Sequence, residues 1–527
     1  PQPAGSRSKP FWLKIRGSLR LHPCSLAALV SEMPSDSVQL NQPAGWGSIE
    51  EVLSEPAQNV AHDSSWFSIV GLWLTFPITL IQGIVGGMCG CIYRSWTFSG
   101  SCCTVYDSVV KGRPLYMAWV WWRYLVATLI ALVRHGRSRL ALFKWEKEAC
   151  GGGEYFWQGE GIWATSYART AEIMRSQQDR TTAFACIRAC VPDLFPPGGL
   201  IFLPCGGDGS EWASIRAVLH TTLIGHNGLS YQDRLQQLVK KLQESWPAPK
   251  FEHLNDTALL QRTVCKSIVF MLFGVWITVD DAEALRGWRT LAGVFILPRL
   301  AQRAMFNVGI NLVKTLRKRT VEVVEKHGLQ DVFVAMNSSL PSHHRRAPIV
   351  RLCDEIMYVV GFAGIGGTCA CVESVSQFLQ LKTGEIPRDM VDFSKYSSTA
   401  EMIAAYKAHP TNYIKETARL DPPVTSATSV VKADMEVEMG TTGVRLEIAK
   451  GFLRQYTLSL ANRDPAVFER PSLFDPTRSS LDRALTWNGE FEQGEQAYPR
   501  LCPGRYLSLQ VAQAIVDHAI SGLQAGP

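Results

Sequence analysis

The chain has 527 residues, of which 46% are hydrophobic and 19% charged, against a usual charged fraction of about 25%. This composition excludes a disordered chain, a coiled coil and a collagen-like repeat, and it supplies enough apolar residues for a large core. A net charge of +6 is too small to indicate a nucleic-acid partner. Fourteen cysteines without a Cys-x-x-Cys pair argue against a disulfide scaffold and a zinc site, and they fit a reducing compartment.

Residues 1–64 are predicted to be a disordered leader followed by a linker. Residues 1–31 carry five basic side chains and no acidic one. A basic leader that also contains serine is typical of an organelle transit peptide, and a disordered tail is the alternative. Residues 33–64 are rich in Pro, Ser and Gln, which favours a linker.

Two apolar stretches within residues 65–135 predict a membrane-associating module. No charged residue occurs in residues 64–93, and about 20 apolar residues are enough to cross a bilayer. A buried helical hairpin is the alternative for this stretch. Residues 114–133 are apolar but contain Arg123. This pattern fits a helix that lies in the membrane interface as well as one that crosses the bilayer. The module predicts a membrane-associated, intracellular protein, with the plastid or the endoplasmic reticulum as candidate locations.

Near the C-terminus, a cysteine precedes a helical pattern. Cys502 is followed by Pro503, Gly504 and apolar residues at helical spacing. Backbone N–H groups and the helix dipole at this position stabilise a thiolate. Gly504 would let a flat cofactor approach closely, and Arg500 could pair with an anionic group. A structural cysteine in a turn is the alternative.

An acid and a base lie on one helical face further upstream. Glu416 and Arg419 are spaced i, i+3, so they can pair, and their helix must end before Pro422. Such a pair is usually a solvated surface feature. Here it is followed by a strand-like alternation and by two loops, which contain Arg463-Asp464-Pro465 and Phe474, Pro476 and Arg478.

The order of these motifs within residues 150–527 resembles the cytochrome P450 superfamily. The resemblance implies a mainly α fold with a small β region at 425–460, and a haem cofactor whose iron is bound by the Cys502 thiolate. It also implies that Glu416 and Arg419 form a core pair together with Arg478.

The resemblance extends upstream to a Trp-x-x-x-Arg motif. Trp212 and Arg216 match the family's haem-propionate helix, where they lie one turn apart. With Arg500, the motif implies two cations for the two carboxylates of a haem. The predicted cofactor-binding residues are therefore Trp212, Arg216, Arg500 and Gly504.

The cysteine loop departs from the usual family pattern. Glu495 stands where the family has Phe, and Tyr498 where it has Gly. The segment that begins at Trp487-Asn488-Gly489 is similar instead to the allene oxide synthases, hydroperoxide lyases and divinyl ether synthases.

The distal helix, predicted over 352–380, points to the same subgroup. Four glycines lie within seven residues, which indicates either room over a haem face or close helix packing. Gly366 and Gly367 occupy the positions of the acid and alcohol that oxygen activation needs. The matching segment in the subgroup has Asn where this chain has Ala363. The predicted catalytic residues are Phe362, Ala363, Gly366, Gly367 and Thr368.

The resemblance implies an enzyme that rearranges a fatty acid hydroperoxide without external oxygen or NADPH. Its substrate would be a small lipid-like molecule dissolved in the membrane. One alternative is a reductase-dependent monooxygenase, with Thr368 replacing the usual Thr and a redox protein as partner. The other is a catalytically degenerate haem-binding membrane protein.

Overall fold

The computed structural model describes twelve segments of the chain: residues 46–47, 139–149, 152–158, 161–176, 209–224, 229–290, 306–352, 359–382, 386–431, 433–439, 444–448 and 453–522. All of them lie in one compact unit, Pro43–Pro527, whereas a second unit, Pro1–Gln42, lies outside the described residues. The predicted module at 65–135 and almost all of the predicted leader and linker also lie outside them. Among the helices that are described, none combines the length and apolarity needed to cross a bilayer.

Helices dominate the first part of the described chain. They are α1 (Arg139–Ala149), α2 (Tyr167–Arg175), α3 (Glu211–Leu219), α4 (Leu229–Ser245), α5 (Thr257–Phe273), α6 (Val279–Thr290), α7 (Phe306–Lys326), α8 (Gln330–Ser338) and α9 (Pro348–Arg351). A π-helical turn, His220–Ile224, extends α3. Local sequence fixes several boundaries. For example, the Asp256 side chain caps the first N–H groups of α5, and Gly274 ends this helix in the left-handed conformation at φ 75°.

The second part contains the helices that surround the predicted site. A π-helical turn, Val359–Ile365, leads into α10 (Gly366–Leu379). It is followed by α11 (Thr399–Ala408), α12 (Pro410–Leu420), α13 (Leu458–Ala461) and α14 (Arg505–Ser521). Helix α12 ends before Pro422, as predicted, because proline disfavours helical conformation in the residue before it.

The β structure is small and draws on both ends of the described domain. The strands are β1 (Tyr155–Gln158), β2 (Gly161–Ala164), β3 (Ser426–Val430), β4 (Met435–Met439), β5 (Val444–Ile448) and β6 (Leu453–Thr457). Strands β3 to β6 fall within the predicted region, 425–460. Strands β1 and β2 were not predicted from the sequence, and they complete a four-stranded sheet in the order β1-β2-β6-β3. In this sheet β2 pairs in parallel with β6, whereas the other two pairs are antiparallel.

The described domain begins upstream of the boundary predicted at residue 150. Phe143 of α1 lies 5.1 Å from the Trp163 ring of β2 and 6.3 Å from the Phe156 ring of β1. Trp46 is buried, and its indole N–H donates to the Glu325 carboxylate at 3.2 Å. Both segments therefore belong to the same packed unit as the helices that follow.

Helix α10 runs through the core and packs against α5, α12 and α14. The glycines at its start have different roles. A Cβ at Gly361 would lie 2.7 Å from the Cβ of Trp288, whereas a Cβ at Gly367 would meet no atom within 4 Å. Trp288 cannot easily shift, because it is buried and its indole N–H donates to Thr320 at 2.9 Å. Gly361 thus allows close helix packing, and Gly367 borders open space.

This difference predicts opposite effects of alanine at the two glycines. We expect Gly361→Ala to destabilise the protein by about 1–3 kcal/mol through overpacking against Trp288. Gly367→Ala should raise stability by up to about 1 kcal/mol, because alanine is the better helix former and no atom opposes its methyl group. Urea denaturation of the two haem-free variants measures both effects. Equal changes in the free energy of unfolding would contradict the assignment.

Candidate active site

The predicted ligand Cys502 lies at the entrance of α14, in a loop closed by a short hairpin. Its backbone N–H donates to the Trp487 carbonyl at 2.8 Å, and Leu485 and Glu490 form an antiparallel bridge. Gly504 is the N-cap of α14, and Cys502 itself is half-buried. The cysteine is therefore held at the mouth of a buried helix, as the sequence predicted.

The electrostatics of the thiol differ in one respect from the sequence expectation. Burial raises the pKa of the Cys502 thiol, although a hydrogen bond from the Gly504 backbone and the charges of Arg216 and Arg505 act in the opposite direction. Cys502 thus lies at the N-terminus of a helix, but the effect of that position on the thiol pKa is smaller than the effect of desolvation. A metal ion would deprotonate the coordinating thiol outright.

The Trp-Asn-Gly segment forms one wall of the loop. Asn488 adopts φ 63°, a left-handed conformation that Asn tolerates better than most residues. A Cβ at Gly489 would lie 2.6 Å from the Tyr498 ring and 3.0 Å from the Leu501 side chain. Glycine is therefore required at position 489 for the two ends of the loop to pack.

The three predicted carboxylate-binding residues lie together. Ser210 caps α3 by accepting from the Ala213 N–H at 3.1 Å, and α3 carries Trp212 and Arg216. The guanidinium carbons of Arg216 and Arg500 lie 5.2 and 5.8 Å from the Trp212 ring. All three side chains are buried. This arrangement places two cations around one indole.

Arg216 is already paired with a carboxylate from its own chain. Its Nε and Nη2 groups donate to Glu495 at 3.0 and 2.9 Å, and Nη2 also donates to the Leu501 carbonyl. His220 Nε2 lies 2.7 Å from the same carboxylate. Burial alone would raise the pKa of Glu495, but the hydrogen bonds from His220 and Arg216 lower it to about 2. The sequence alone marked Glu495 as a departure from the family pattern and did not indicate these partners.

The residues predicted to be catalytic lie in the π-helical turn and in the first turn of α10. Ala363 is exposed, Gly366 and Gly367 are half-buried, and the side chain of Phe362 lies outside the described part of this turn. Thr368 is buried, and its hydroxyl lies 3.0 Å from Ser508 of α14. That hydrogen bond ties the start of α10 to the helix that follows Cys502. The Thr368 hydroxyl is therefore engaged with α14, which disfavours the relay role considered for it.

Glu416 and Arg419 form a fully buried pair beneath the site. Arg419 donates to both carboxylate oxygens of Glu416 at 2.7 and 2.9 Å, and both side chains are 0% exposed. Arg419 also donates to the carbonyls of Asn462 and Pro471. Arg478 Nε lies 3.6 Å from the Glu416 carboxylate. The three charged groups thus hold α12 against the loops that lead to the cysteine.

A second carboxylate anchors the cysteine loop, and sequence analysis missed it. Glu490 accepts from the hydroxyls of Tyr167 and Tyr498, each at 2.8 Å, and from Arg175 at 3.2 Å. Tyr167 and Arg175 belong to α2, more than 300 residues earlier in the chain. No local sequence pattern could have indicated this contact.

The donor set and the space around it fit a haem at the entrance of α14. Cys502 supplies a soft ligand suited to iron. A Cβ at Gly504 would meet no atom within 4 Å, and the same is true of a Cβ at Gly367 in α10. Arg500 and Arg216 supply cations for carboxylates, although Glu495 already engages Arg216. A flat group with two acidic arms matches this chemistry.

Comparison with known proteins gives a limited sequence match. No family model matches the chain. Over 93 residues, the chain is 38% identical to curated proteins with the provisional name cytochrome P450 140 in Mycobacterium bovis and Mycobacterium tuberculosis. This match covers 17% of this chain, and the chain spans only 20% of the length of those curated relatives.

Solved structures match a much larger share of the chain. The epothilone B-bound cytochrome P450epoK has a TM-score of 0.51 at 17% identity, over 73% of this chain and 89% of that one. A structure from a study of cytochrome P450-like monooxygenases in microbial secondary metabolism has a TM-score of 0.52 at 16% identity, over 72% and 90% of the two chains. The P450 haem domain of Tepidiphilus thermophilus has a TM-score of 0.51 at 16% identity, over 73% and 86%.

These similarities show that the chain has the cytochrome P450 fold, mostly helical with a small sheet, which confirms the predicted fold class. The short curated match is to proteins that also carry the cytochrome P450 name. Cytochrome P450s bind haem through a cysteine thiolate, and the residues described around Cys502 fit such a group.

Proposed function

We propose that this chain is a haem-thiolate enzyme that rearranges a fatty acid hydroperoxide. The proposal depends chiefly on the start of the distal helix, where Gly366 and Gly367 occupy the positions of an acid and an alcohol and where the Thr368 hydroxyl engages Ser508. Rearrangement of a hydroperoxide needs no proton relay to activate oxygen, so a site without an acid–alcohol pair is suited to it.

The chain's own residues would bind and orient the cofactor. Cys502 would bind the iron, and its position is fixed by the hydrogen bond from its N–H to the Trp487 carbonyl. Arg500 and Arg216 would bind the acidic arms beside Trp212. When bound, the haem would supply homolytic cleavage of the O–O bond of the hydroperoxide. The overall reaction is an isomerisation or a dehydration, so it consumes neither molecular oxygen nor NADPH.

The distal residues would receive the lipid substrate. Ala363, exposed in the π-helical turn, and Gly367, which borders open space, would leave room for an alkyl chain. In this chain Ala363 replaces the Asn that the similar subgroup carries, so substrate positioning there would depend on apolar contact. The membrane association predicted for residues 65–135 would give the enzyme access to a substrate dissolved in the membrane.

A reductase-dependent monooxygenase is the second candidate. It is favoured by the similarity to a structure whose study concerns cytochrome P450-like monooxygenases. This function would require a redox partner and an oxygen-activating relay. Within the described part of α10, the side chains of Thr368, Ser374 and Ser376 all have hydrogen-bond partners, namely Ser508, Asp421 and the Leu254 carbonyl.

The test is turnover of linoleic or linolenic acid hydroperoxide by the haem-loaded full chain, without reductase or NADPH. We expect rapid loss of the conjugated-diene absorbance, with mass spectrometry identifying an allene oxide, aldehyde, vinyl ether or epoxy alcohol product.

The control is the same protein supplied with NADPH, a reductase and a fatty acid that carries no hydroperoxide. Product formation only under these conditions would contradict the rearrangement and establish the monooxygenase. Inertness under both conditions, with a normal thiolate spectrum, would favour a haem-binding protein without catalysis.

A further inference from the structure

Residues of the chain itself already accept hydrogen bonds from the Nε and Nη2 edge of the Arg216 guanidinium. Glu495 accepts from Nε and Nη2 together, which is the fork geometry that a carboxylate uses when it binds arginine most strongly. The Leu501 carbonyl, adjacent to Cys502, accepts from Nη2 as well. A carboxylate brought by a ligand would therefore meet a guanidinium that already holds a carboxylate.

The two partners differ in their freedom to move. Arg216 is 7% exposed and packs against Trp212, whereas Glu495 is 39% exposed and lies in an irregular loop. His220, 30% exposed, adds a contact to Glu495 at 2.7 Å. If the pair separates, Glu495 is the member that can leave for solvent, while Arg216 stays directed toward the cysteine loop.

We propose that Glu495 is a built-in competitor for the haem carboxylate at Arg216: it holds this arginine in the haem-free chain and must yield it when haem binds. The inference rests on the haem site of the proposed function. It implies that Glu495 lowers the affinity of the chain for haem. The ion pair that a haem carboxylate forms with Arg216 is offset by the loss of the Arg216–Glu495 pair.

The test compares haem affinities of the haem-free full chain and its variants. Hemin and hemin dimethyl ester, which lacks free carboxylates, are titrated against wild type and Glu495→Gln, with Soret absorbance and tryptophan fluorescence quenching as readouts. We expect Glu495→Gln to bind hemin about five-fold more tightly, the scale of one partly exposed ion pair. Its affinity for the dimethyl ester should equal that of the wild type.

Glu492→Gln is the matched control. Glu492 lies in the same loop and is half exposed, but it pairs with Lys415 at 2.7 Å instead of Arg216. Its hemin affinity should equal that of the wild type. Glu495→Asp retains the charge on a shorter side chain, so an intermediate gain is expected. This variant tests the proposal even if Glu495→Gln folds poorly by circular dichroism.

Equal hemin affinities for wild type, Glu495→Gln and Glu495→Asp would overturn the inference, as would an equal gain for hemin and its dimethyl ester. The proposed function fails separately, if the ferrous–CO complex lacks the thiolate spectrum while the affinity ratio holds. A thiolate spectrum with equal affinities overturns the inference alone. If neither wild type nor the Glu495 variants bind hemin, both are overturned.

Discussion

Replacement of Cys502 by serine is expected to abolish the thiolate spectrum of the ferrous–CO complex and to reduce turnover by more than about 100-fold. Mutation of a residue that hydrogen-bonds to a metal ligand typically lowers metal affinity or activity by about 10–100-fold, and this substitution removes the ligand itself. Serine preserves the size of the side chain and the backbone hydrogen bond to Trp487, so the loop should keep its form. The measurement is the difference spectrum of the reduced protein with carbon monoxide, together with a hydroperoxide assay.

Cys265→Ala is the control for this variant. Cys265 is buried in α5 and has no assigned role in the site. Its variant should keep the thiolate spectrum. A thiolate spectrum that survives in Cys502→Ser would mean that another group binds the iron, and the assignment of the site would be wrong.

Replacement of Glu416 by glutamine is expected to destabilise the fold by about 3–5 kcal/mol, the usual cost of breaking a buried ion pair on one side. Arg419 would keep its carbonyl contacts but would lose the buried carboxylate with which it pairs, and Arg478 would lose the same carboxylate. Urea denaturation followed by circular dichroism measures the loss. Haem content after purification should fall in parallel.

Glu244→Gln provides a matched control, because Lys241 and Glu244 are also spaced i, i+3 and lie 2.9 Å apart, but on an exposed face of α4. No measurable change is expected there, since exposed ion pairs add little to stability. A wild-type free energy of unfolding in Glu416→Gln would contradict the structural role of the buried pair.

The sequence was informative where a motif is local. The i, i+3 spacing of Glu416 and Arg419 already implied a pair, and the apolar pattern after Cys502 implied a helix that begins there. The cluster of Trp212, Arg216 and Arg500 was predicted only through resemblance. Its geometry depends on how α3 meets the cysteine loop, which no local pattern encodes.

The sequence was least informative where the partner is distant in the chain. The role of Glu495 depends on Arg216 and His220, more than 270 residues earlier. The glycines of the distal helix looked alike in sequence, yet Gly361 is required by the adjacent Trp288 and Gly367 borders open space. Strands β1 and β2 were missed because each has only four residues, and because β2 joins the sheet through β6, which lies far later in the chain.

The contacts of Tyr167 have a consequence for the order of folding. Its hydroxyl donates to Glu490, 323 residues later, and its backbone N–H donates to Asp464, 297 residues later. Contacts between such distant segments form slowly, because a long loop must close before they contribute any stability. During synthesis, helix α2 emerges long before the cysteine loop exists. We therefore expect the cofactor site to be completed only after the cysteine loop has left the ribosome, so that the cofactor is inserted after this loop has been synthesised.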